Sequence, residues 1–307
     1  MKIYEGLSEF KAVPNPVVTS GTFDGVHLGH QKILQRIREI ARSIQGETIL
    51  LTFWPHPRLV LYPEEHNLRL LSTFEEKTKL LRQFGIDHLI TIPFTKEFSQ
   101  MSSKEFIQKI LVDKIHTRKL VIGYDHRFGK NREGSFEYLQ EHAGDFGFEL
   151  EEISRQDVDA IGVSSTKIRK ALESGDIQTA NSFLGRSYEL NGIVIKGQQI
   201  GRSIGFPTAN VHIPNSYKLI PKDGVYAVEA EVNGSLFKAM LNIGNRPTVD
   251  GTQKSVETHL FDFQGDLYGK QITIYLKAYL REEQKFESLS ALQAQLLKDQ
   301  QQAKMLL

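Results

Sequence analysis

Two histidines and three glycines lie within one short stretch near the start of the chain, Gly21-Thr-Phe-Asp-Gly-Val-His-Leu-Gly-His30. His27 and His30 are three residues apart, so on a helical turn they share one face. Paired imidazoles there can donate hydrogen bonds to a phosphoryl oxygen as its charge grows during a reaction. Glycine lets the backbone approach such a ligand without an intervening Cβ. The stretch is typical of a phosphate-handling loop.

The surrounding pattern predicts where this loop sits. An apolar, β-branched run at residues 16–19 precedes it, and apolar residues at helical spacing follow it. These are Ile33, Ile37, Ile40, Ala41 and Ile44. The order predicts a strand, a tight glycine turn and a helix. A helix start presents free N–H groups and the positive end of its dipole, which suits a phosphate.

The histidine pair has other interpretations. Taken alone, His-x-Gly-His fits a structural role as well as a catalytic one. Asp24, His27 and His30 together could also form a zinc site, although the chain has no cysteine to complete it. The whole stretch is more specific than the pair, and it favours phosphate chemistry.

Two further loops are expected at the same edge of a sheet. Thr52-Phe-Trp-Pro-His-Pro57 and Gly123–Gly129 each follow a predicted strand. His56, between two prolines, fits a rigid surface turn as well as a ligand contact, and Asp125 fits a turn cap. Aromatic residues of these loops could form a wall for a flat ligand. They are Trp54, Tyr124 and Phe128.

A fourth stretch, residues 163–172, predicts a helix with hydroxyl side chains at its start and basic residues just after them. Basic residues in a first turn oppose the helix dipole, so a nearby anion would explain their placement. A solvated helix face is the alternative. Given the histidine pair upstream, this stretch is the expected clamp for further phosphate groups.

Strand and helix patterns alternate up to about residue 155. Strands are predicted over 16–19, 47–53, 88–93, 119–122 and 148–153. Capping boxes at Thr73/Glu76 and Ser102/Glu105 start two of the helices. The alternation predicts a mostly parallel sheet with helices on both faces, whose ligands bind beyond the carboxyl ends of the strands.

From Tyr188 onward, β-type runs follow each other without helices between them. They cover 190–195, 225–232, 236–243, 255–263 and 271–279, and a final helix is predicted over 289–306. Asn233-Gly234 is a two-residue hairpin signal. The pattern predicts a small antiparallel barrel or sandwich with a terminal helix, and a domain boundary near residues 185–187.

Two features of the β region could carry chemistry. The stretch Gly201–Asn210 looks like a phosphate loop, in which Thr208 and Asn210 could hold Mg²⁺ and phosphate oxygens, but a loop-to-strand transition fits it equally well. Glu257 lies within an apolar strand, where a partly buried carboxylate can act as a general base. A solvent-facing strand glutamate is the more common case.

Composition limits the partners. Acidic and basic residues balance to a net charge of +1, with no basic block of the kind that binds nucleic acid. We see no long apolar run and no secretory signal, so we expect neither membrane insertion nor export. The absence of cysteine excludes disulfides and thiol nucleophiles. A cytoplasmic location is the expectation.

Together these stretches resemble the bacterial bifunctional riboflavin kinase/FMN adenylyltransferase (FAD synthetase) family over essentially the whole chain. The first stretch is similar to the Gly-x-Phe-Asp-x-x-His-x-Gly-His signature of nucleotidylyltransferases. The other matching stretches are 55–57, 123–129, 164–169, 201–210, 224–227, 256–259, 266–269 and 281–286.

The resemblance implies an α/β Rossmann-like nucleotidylyltransferase domain over residues 1–185, which adenylylates FMN. It also implies an all-β, six-stranded antiparallel barrel with a C-terminal helix over residues 186–307, which phosphorylates riboflavin. ATP is then the co-substrate of both steps, Mg²⁺ the cofactor, and FMN and FAD the products. Riboflavin, FMN and ATP are the expected partners, and no oligomeric state follows from the sequence.

The same resemblance assigns the site residues. In the first domain, ATP is expected to contact Gly21, Phe23, Asp24, His27, His30, Ser164, Ser165, Thr166 and Arg169, with His27 and His30 catalytic. Flavin is expected there at His56, Pro57, Asp125 and Phe128. In the second domain, ATP is expected at Gly201, Gly205, Pro207, Thr208 and Asn210, with Mg²⁺ on Thr208 and Asn210. Riboflavin is expected at Glu257, Arg281 and Phe286, with Glu257 as the base.

Three residues depart from the family pattern. Trp54 replaces an acidic residue, His126 a phenylalanine, and Gly162 a basic residue of some members. Cytidylyltransferases and pantetheine-phosphate adenylyltransferases share the first motif but do not explain residues 186–307. A non-catalytic flavin-binding protein, and a kinase whose adenylyltransferase half has decayed, are the remaining alternatives.

Overall fold

A computed structural model of the chain describes residues 1–64, 68–124, 126–153, 162–197, 201, 204–248 and 251–307. These residues form two compact units, Met1–Ser164 and Ser165–Leu307. The division lies at the start of the helix predicted over 163–172, whereas the sequence predicts a domain boundary near residues 185–187. That domain boundary stays a prediction.

The first unit is built on a six-stranded parallel sheet. Its strands are β1 (Lys2–Glu5), β2 (Val17–Ser20), β3 (Thr48–Trp54), β4 (His88–Pro93), β5 (Lys119–Gly123) and β6 (Glu149–Ile153). They lie in the order β1-β4-β3-β2-β5-β6, and every pair is parallel. The predicted α/β class is confirmed. The edge strand β1 was not predicted, because its residues are mostly exposed and lack the apolar, β-branched run that marks β2.

Helices cover this sheet. They are α1 (Leu28–Ser43), α2 (Pro57–Leu61), α3 (Phe74–Gln83), α4 (Ser103–Phe106) and α5 (Phe136–Phe146), and α4 continues as a π-helix over Ile107–Val112. Both predicted capping boxes are present. Neighbouring residues of β2 face opposite sides: Val17 packs in the cluster that contains Ile37 of α1, and Val18 packs in the cluster that contains Leu139 of α5.

The second unit begins with two short helices, α6 (Ser165–Ser174) and α7 (Ile177–Leu184), and ends with α8 (Leu289–Leu306). Its strands are β7 (Tyr188–Ile195), β8 (Ala209–His212), β9 (Gly224–Val232), β10 (Ser235–Thr248), β11 (Gly251–Leu260) and β12 (Gln271–Arg281). They close an antiparallel barrel in the order β10-β11-β8-β7-β12-β9. The barrel alternative is therefore correct, and the sandwich alternative is wrong.

Local signals account for much of the barrel. Asn233 and Gly234 both have positive φ, 51° and 78°, as the predicted two-residue hairpin between β9 and β10 requires. Helix α8 packs through Ala303 against a cluster that includes Phe206 and Phe261. Among the described residues, no helix has both the length and the apolar character needed to span a membrane.

Candidate active sites

The glycine-rich loop of the first unit ends in a stacked pair of histidines. His27 is the N-cap of α1, and its ring lies 3.7 Å, centroid to centroid, from that of His30. The backbone N–H of His30 donates to Nδ1 of His27 at 3.4 Å. Because Nδ1 accepts this bond, Nε2 carries the proton of the neutral ring. The predicted side-by-side arrangement at the helix start is confirmed.

The backbone of this loop is strained. Phe23 and Val26 have φ angles of 48° and 41°, which a β-branched residue such as valine rarely adopts. Such strain costs about 1–3 kcal/mol per residue and persists only where the surroundings hold it. Asp24 supplies part of that support, because its buried carboxylate accepts the backbone N–H groups of Leu71 at 2.9 Å and Ser72 at 3.2 Å.

These contacts also bear on the zinc alternative. The Asp24 carboxylate faces backbone donors, and among the described residues no group of three His, Cys, Asp or Glu side chains could hold a metal. The zinc alternative therefore has no support here. The predicted contact of Asp24 with ATP stays a prediction, and its observed contacts give it a role in shaping the loop.

A cleft of about 1160 Å³ opens at the carboxyl ends of the parallel strands, between Ser20 at the end of β2 and Gly123 at the end of β5. The chain order reverses at β2, with β3 and β4 on one side and β5 and β6 on the other. Ligands of open α/β sheets bind at such a switch point. The cleft lies where the topology predicts a ligand.

Two kinds of side chain line the cleft. The polar residues include Ser20, Thr22, His30, His56, Arg58, Arg127 and Arg132. The apolar residues include Phe53, Phe94, Phe98, Met101, Phe106 and Phe128. Aromatic faces suit a flat ring system, and guanidinium and imidazole groups suit a phosphate. The lining fits a ligand that has both.

The predicted flavin contacts are only partly in this lining. His56, Pro57 and Phe128 line the cleft, whereas Asp125 lies outside the described residues. Trp54 does not line it. Instead Trp54 packs against Phe74 of α3, because successive residues of a strand face opposite sides and Phe53 takes the side of the cleft.

Sequence reasoning missed most of the aromatic wall. Phe53 is next to last in β3, Phe94 follows β4, and Phe98 and Phe106 come soon after. The sequence signal that could have identified these residues is their position near the carboxyl ends of strands, because side chains there converge at one edge of a parallel sheet.

His126 connects the two loops of the cleft. Its Nε2 lies 3.1 Å from Oγ of Ser20, and its ring stacks on Phe128 at 5.7 Å. Burial, with a smaller effect of Arg132, lowers the pKa of His126 to about 4. The ring is therefore neutral near pH 7, and it links the end of β2 to the aromatic wall without adding charge.

The predicted phosphate clamp comprises four residues expected to contact ATP: Ser164, Ser165, Thr166 and Arg169. Ser164 ends the first unit, and α6 begins at Ser165 as part of the second. The helix start is where the sequence predicts it. The contacts of these residues with phosphates stay a prediction.

In the second unit, Glu257, Thr208 and Asn210 lie together. The Thr208 hydroxyl donates to Oε2 of Glu257 at 3.2 Å, and Asn210 of β8 pairs directly with Glu257 of β11. Glu257 is half-buried. A Cβ at Gly197 would lie 2.0 Å from Nδ2 of Asn210, so a larger residue there would displace the Asn210 side chain from its observed position.

The loop before Thr208 is fixed at both ends. The backbone N–H of Phe206 donates to the carbonyl of Gly201 at 2.8 Å. A Cβ added to Gly201 would clash with the carbonyl oxygen of Phe206. Nδ1 of His259 lies 2.7 Å from the carbonyl of Pro207. Gly205 has a φ of 84°. Of the five predicted ATP residues of this half, Thr208 and Asn210 lie beside Glu257, whereas the contacts of Gly201, Gly205 and Pro207 with ATP stay a prediction.

Arg281 and Phe286 lie together, with the guanidinium 5.8 Å from the ring centroid. Sequence reasoning missed the principal partner of Arg281, which is Asp299 of α8. Their two side chains form paired bonds of 2.9 and 2.6 Å, and Asp299 is fully buried. This ion pair ties α8 to the end of β12. The predicted flavin contact of Arg281 stays a prediction.

Comparison with known families assigns both halves. A family model described as FAD synthetase matches residues 10–167, and one described as riboflavin kinase matches residues 184–307. The first match contains the histidine loop and the cleft. The second contains Thr208, Asn210 and Glu257.

Curated relatives span nearly the whole chain and carry the name bifunctional riboflavin kinase/FMN adenylyltransferase. The one from Listeria monocytogenes is 38% identical over 288 residues, covering 94% of this chain and 91% of its own length. The one from Escherichia coli K12 is 36% identical over 303 residues, covering 98% and 96%. The one from Pseudomonas fluorescens is 40% identical over 278 residues, covering 90% and 88%.

A solved structure has the same fold. It is described as a macrolide-efflux protein from Streptococcus pneumoniae, and it matches with a TM-score of 0.90 and 28% identity over 99% of this chain and 98% of its own. That name differs from the names of the sequence relatives, so the likeness shows the fold alone. Both family models and the curated relatives agree, and the chain belongs to the bifunctional riboflavin kinase/FMN adenylyltransferase family.

Proposed function

We propose that the barrel half phosphorylates riboflavin to FMN, and that the first half transfers the adenylyl group of a second ATP to FMN, giving FAD and pyrophosphate. One observation carries this function: the two halves match two different family models, one for each reaction. The relatives that join both activities in one name cover more than nine-tenths of this chain.

The kinase step needs a base. The 5′-hydroxyl of riboflavin must lose its proton as its oxygen attacks the γ-phosphorus of ATP and the bond to the leaving ADP breaks. Glu257 is the proposed acceptor of that proton. The hydrogen bond from Thr208, 3.2 Å long, fixes one carboxylate oxygen and orients the other.

The adenylyl step needs no strong base. An FMN phosphate oxygen, already anionic, attacks the α-phosphorus of ATP, and pyrophosphate leaves. His27 and His30 are proposed to donate hydrogen bonds to the α-phosphate as its charge grows. Their stacking at the helix start supports this role, since both rings are held in place before the ligand arrives.

Magnesium is part of the proposal. In the barrel half, the Thr208 hydroxyl, the Asn210 amide and the Glu257 carboxylate lie together and offer hard oxygen atoms of the kind this ion prefers. Thr208 and Asn210 would hold it. When bound, it would neutralise phosphate charge during transfer.

The location and partners are proposed on the same basis. Both reactions consume ATP, so the cytoplasm is the proposed compartment. Riboflavin, FMN and ATP are the proposed partners, and neither nucleic acid nor membrane has a part in the mechanism.

A direct assay tests the function. The purified chain, incubated with riboflavin, ATP and Mg²⁺, should produce FMN and then FAD. Chromatography of the flavins over time measures both products. Removal of Mg²⁺ with a chelator should stop both steps. FMN without FAD would favour a decayed adenylyltransferase half, and the absence of both products would reject the proposal.

The two activities should be separable, and the structure indicates where to cut. Within the second unit, Asn181 of α7 donates to the carbonyl of Leu276 at 2.8 Å and accepts the N–H of Tyr188 at 2.7 Å. A fragment of residues 165–307 keeps these bonds, whereas one of residues 186–307 loses both, each worth about 1 kcal/mol.

Both fragments should therefore make FMN and no FAD, and the shorter one should unfold at a lower denaturant concentration. Urea titration of each fragment, with kinase assays alongside, measures both effects. Equal stability of the two fragments would show that α7 does not support the barrel. A soluble longer fragment without kinase activity would contradict separability.

A further inference from the structure

Lys77 of α3 is a buried cation beside the histidine loop. It is 3% exposed, and its Nζ donates to the carbonyl of Thr22 at 3.2 Å and to Oγ1 of Thr52 at 3.0 Å. Lysine is seldom fully buried unless it is paired, because removing its charge from water is costly. Its position calls for a role beyond packing.

Aromatic rings complete the surroundings. Nζ lies 5.4 Å from the centroid of Trp54 and 5.7 Å from that of Phe74, within the range of cation–π attraction. A water-sized space beside it is also lined by Asp24 and His56, which are the titratable groups facing Lys77 from the loop and from the start of α2.

The carboxylate next to Lys77 on α3 is that of Glu76, which takes part in the capping box. Glu76 accepts the backbone N–H of Thr73 at 2.9 Å in the capping box. Lys77 contacts the loop directly through one hydrogen bond, to the backbone carbonyl of Thr22. The nearby opposite charge is that of Asp24.

The contact falls at the point where the loop needs support. Thr22 immediately precedes Phe23, the first residue of the loop with a left-handed backbone. Asp24 anchors the loop from one side through Leu71 and Ser72, and Lys77 anchors it from the other through Thr22. Together they hold a conformation that the chain would not adopt alone.

We propose that Lys77 is a positioning residue for the adenylyl transfer: it fixes the Thr22 carbonyl and thereby the loop that carries His27 and His30. The inference rests on the proposed function, because it refines the same site. Lys77 acts through the loop and need not touch the substrate.

The protonation state of Lys77 offers a readout. Burial lowers its pKa to about 8, partly opposed by the charge of Asp24. Below that pH the ammonium predominates and donates all its hydrogen bonds. Above it the neutral amine replaces the cation, so its hold on the carbonyl and its cation–π contacts weaken.

Lys77→Met removes the cation and keeps most of the side-chain volume. We expect kcat for FAD formation from FMN to fall about tenfold or more, since small misplacements of catalytic groups have effects of this size. Riboflavin phosphorylation by the same protein should stay unchanged, because it uses the other unit. Lys79→Met, at an exposed position of the same helix, is the matched control and should behave as the wild type.

The pH profile distinguishes positioning from a merely structural role. FAD formation by the wild type should decline above about pH 8, in line with the lowered pKa of Lys77. The decline should vanish in Lys77→Met, in which Asp24 and His56 are both retained. Thr52→Val, which removes one acceptor from the ammonium and preserves shape, should move the decline to lower pH.

The outcomes separate cleanly. A Lys77→Met variant with wild-type kcat, or a Thr52→Val variant with an unshifted decline, would overturn the inference. If Lys77→Met does not fold, the Thr52→Val profile decides. If the wild type makes no FAD, both the proposed function and the inference are rejected. If the wild type and Lys77→Met make FAD at the same rate, the inference alone is rejected.

Discussion

Replacement of Glu257 by Gln should slow riboflavin phosphorylation by at least about 100-fold while leaving FAD formation from supplied FMN near the wild-type rate. The riboflavin hydroxyl must lose a proton as it attacks, and general-base catalysis typically contributes an effect of this size. The FMN phosphate is already anionic, so the adenylyl step has no such requirement. Glutamine keeps the size of the side chain and an oxygen to accept the Thr208 hydrogen bond.

Steady-state rates of FMN formation and of FAD formation, measured separately, check this result. Glu229→Gln is a suitable control, because it removes another strand carboxylate of the barrel, one that pairs with Lys277. It should leave both rates unchanged. Full kinase activity in Glu257→Gln would remove Glu257 from the mechanism, and equal loss of both activities would point to a folding defect.

Local sequence signals predicted most of the fold because they depend on neighbouring residues. The capping boxes at Thr73/Glu76 and Ser102/Glu105 form where they were predicted, since each uses a side chain three residues from its partner. The final helix over Leu289–Leu306 and the Asn233-Gly234 turn follow in the same way.

Elements that depend on distant partners were harder to predict. Among the described strands, β1 pairs with β4, and β8 lies between β7 and β11. Neither of these four-residue segments has the run of apolar, β-branched residues that marks β2. In addition, the choice between barrel and sandwich depends on pairings between distant segments, those of β12 with β7 and β9 and of β8 with β11, which no local pattern contains.

The candidate sites show the same limit. The spacing of His27 and His30 predicted their shared face, because a helix start fixes it. In contrast, Lys77 looks like an ordinary surface lysine beside Glu75 and Glu76, and only the fold brings it under the Thr22 carbonyl. Asp299 likewise looks like a solvated residue of the last helix until β12 presents Arg281 to it.

His30→Ala should nearly abolish FAD formation while FMN accumulates from riboflavin. Loss of one donor to the developing charge typically costs about 3 kcal/mol, or at least about a hundredfold in rate. The structure indicates that this variant will keep its fold, because the N-cap bond to Nδ1 of His27 comes from the backbone N–H of residue 30, which alanine retains. The ring of His30 contacts Phe23 and His27, both of which remain in the variant.

The comparison is made on one protein sample by chromatography of the flavins over time. Gln35→Ala, on the exposed face of the same helix, controls for a general effect on α1 and should leave FAD formation unchanged. The kinase rate of the same sample reports on folding of the second unit. If His30→Ala makes FAD at the wild-type rate, the histidine pair is structural, and the donors to the α-phosphate must lie elsewhere in the cleft, among side chains such as Arg58 and Arg132.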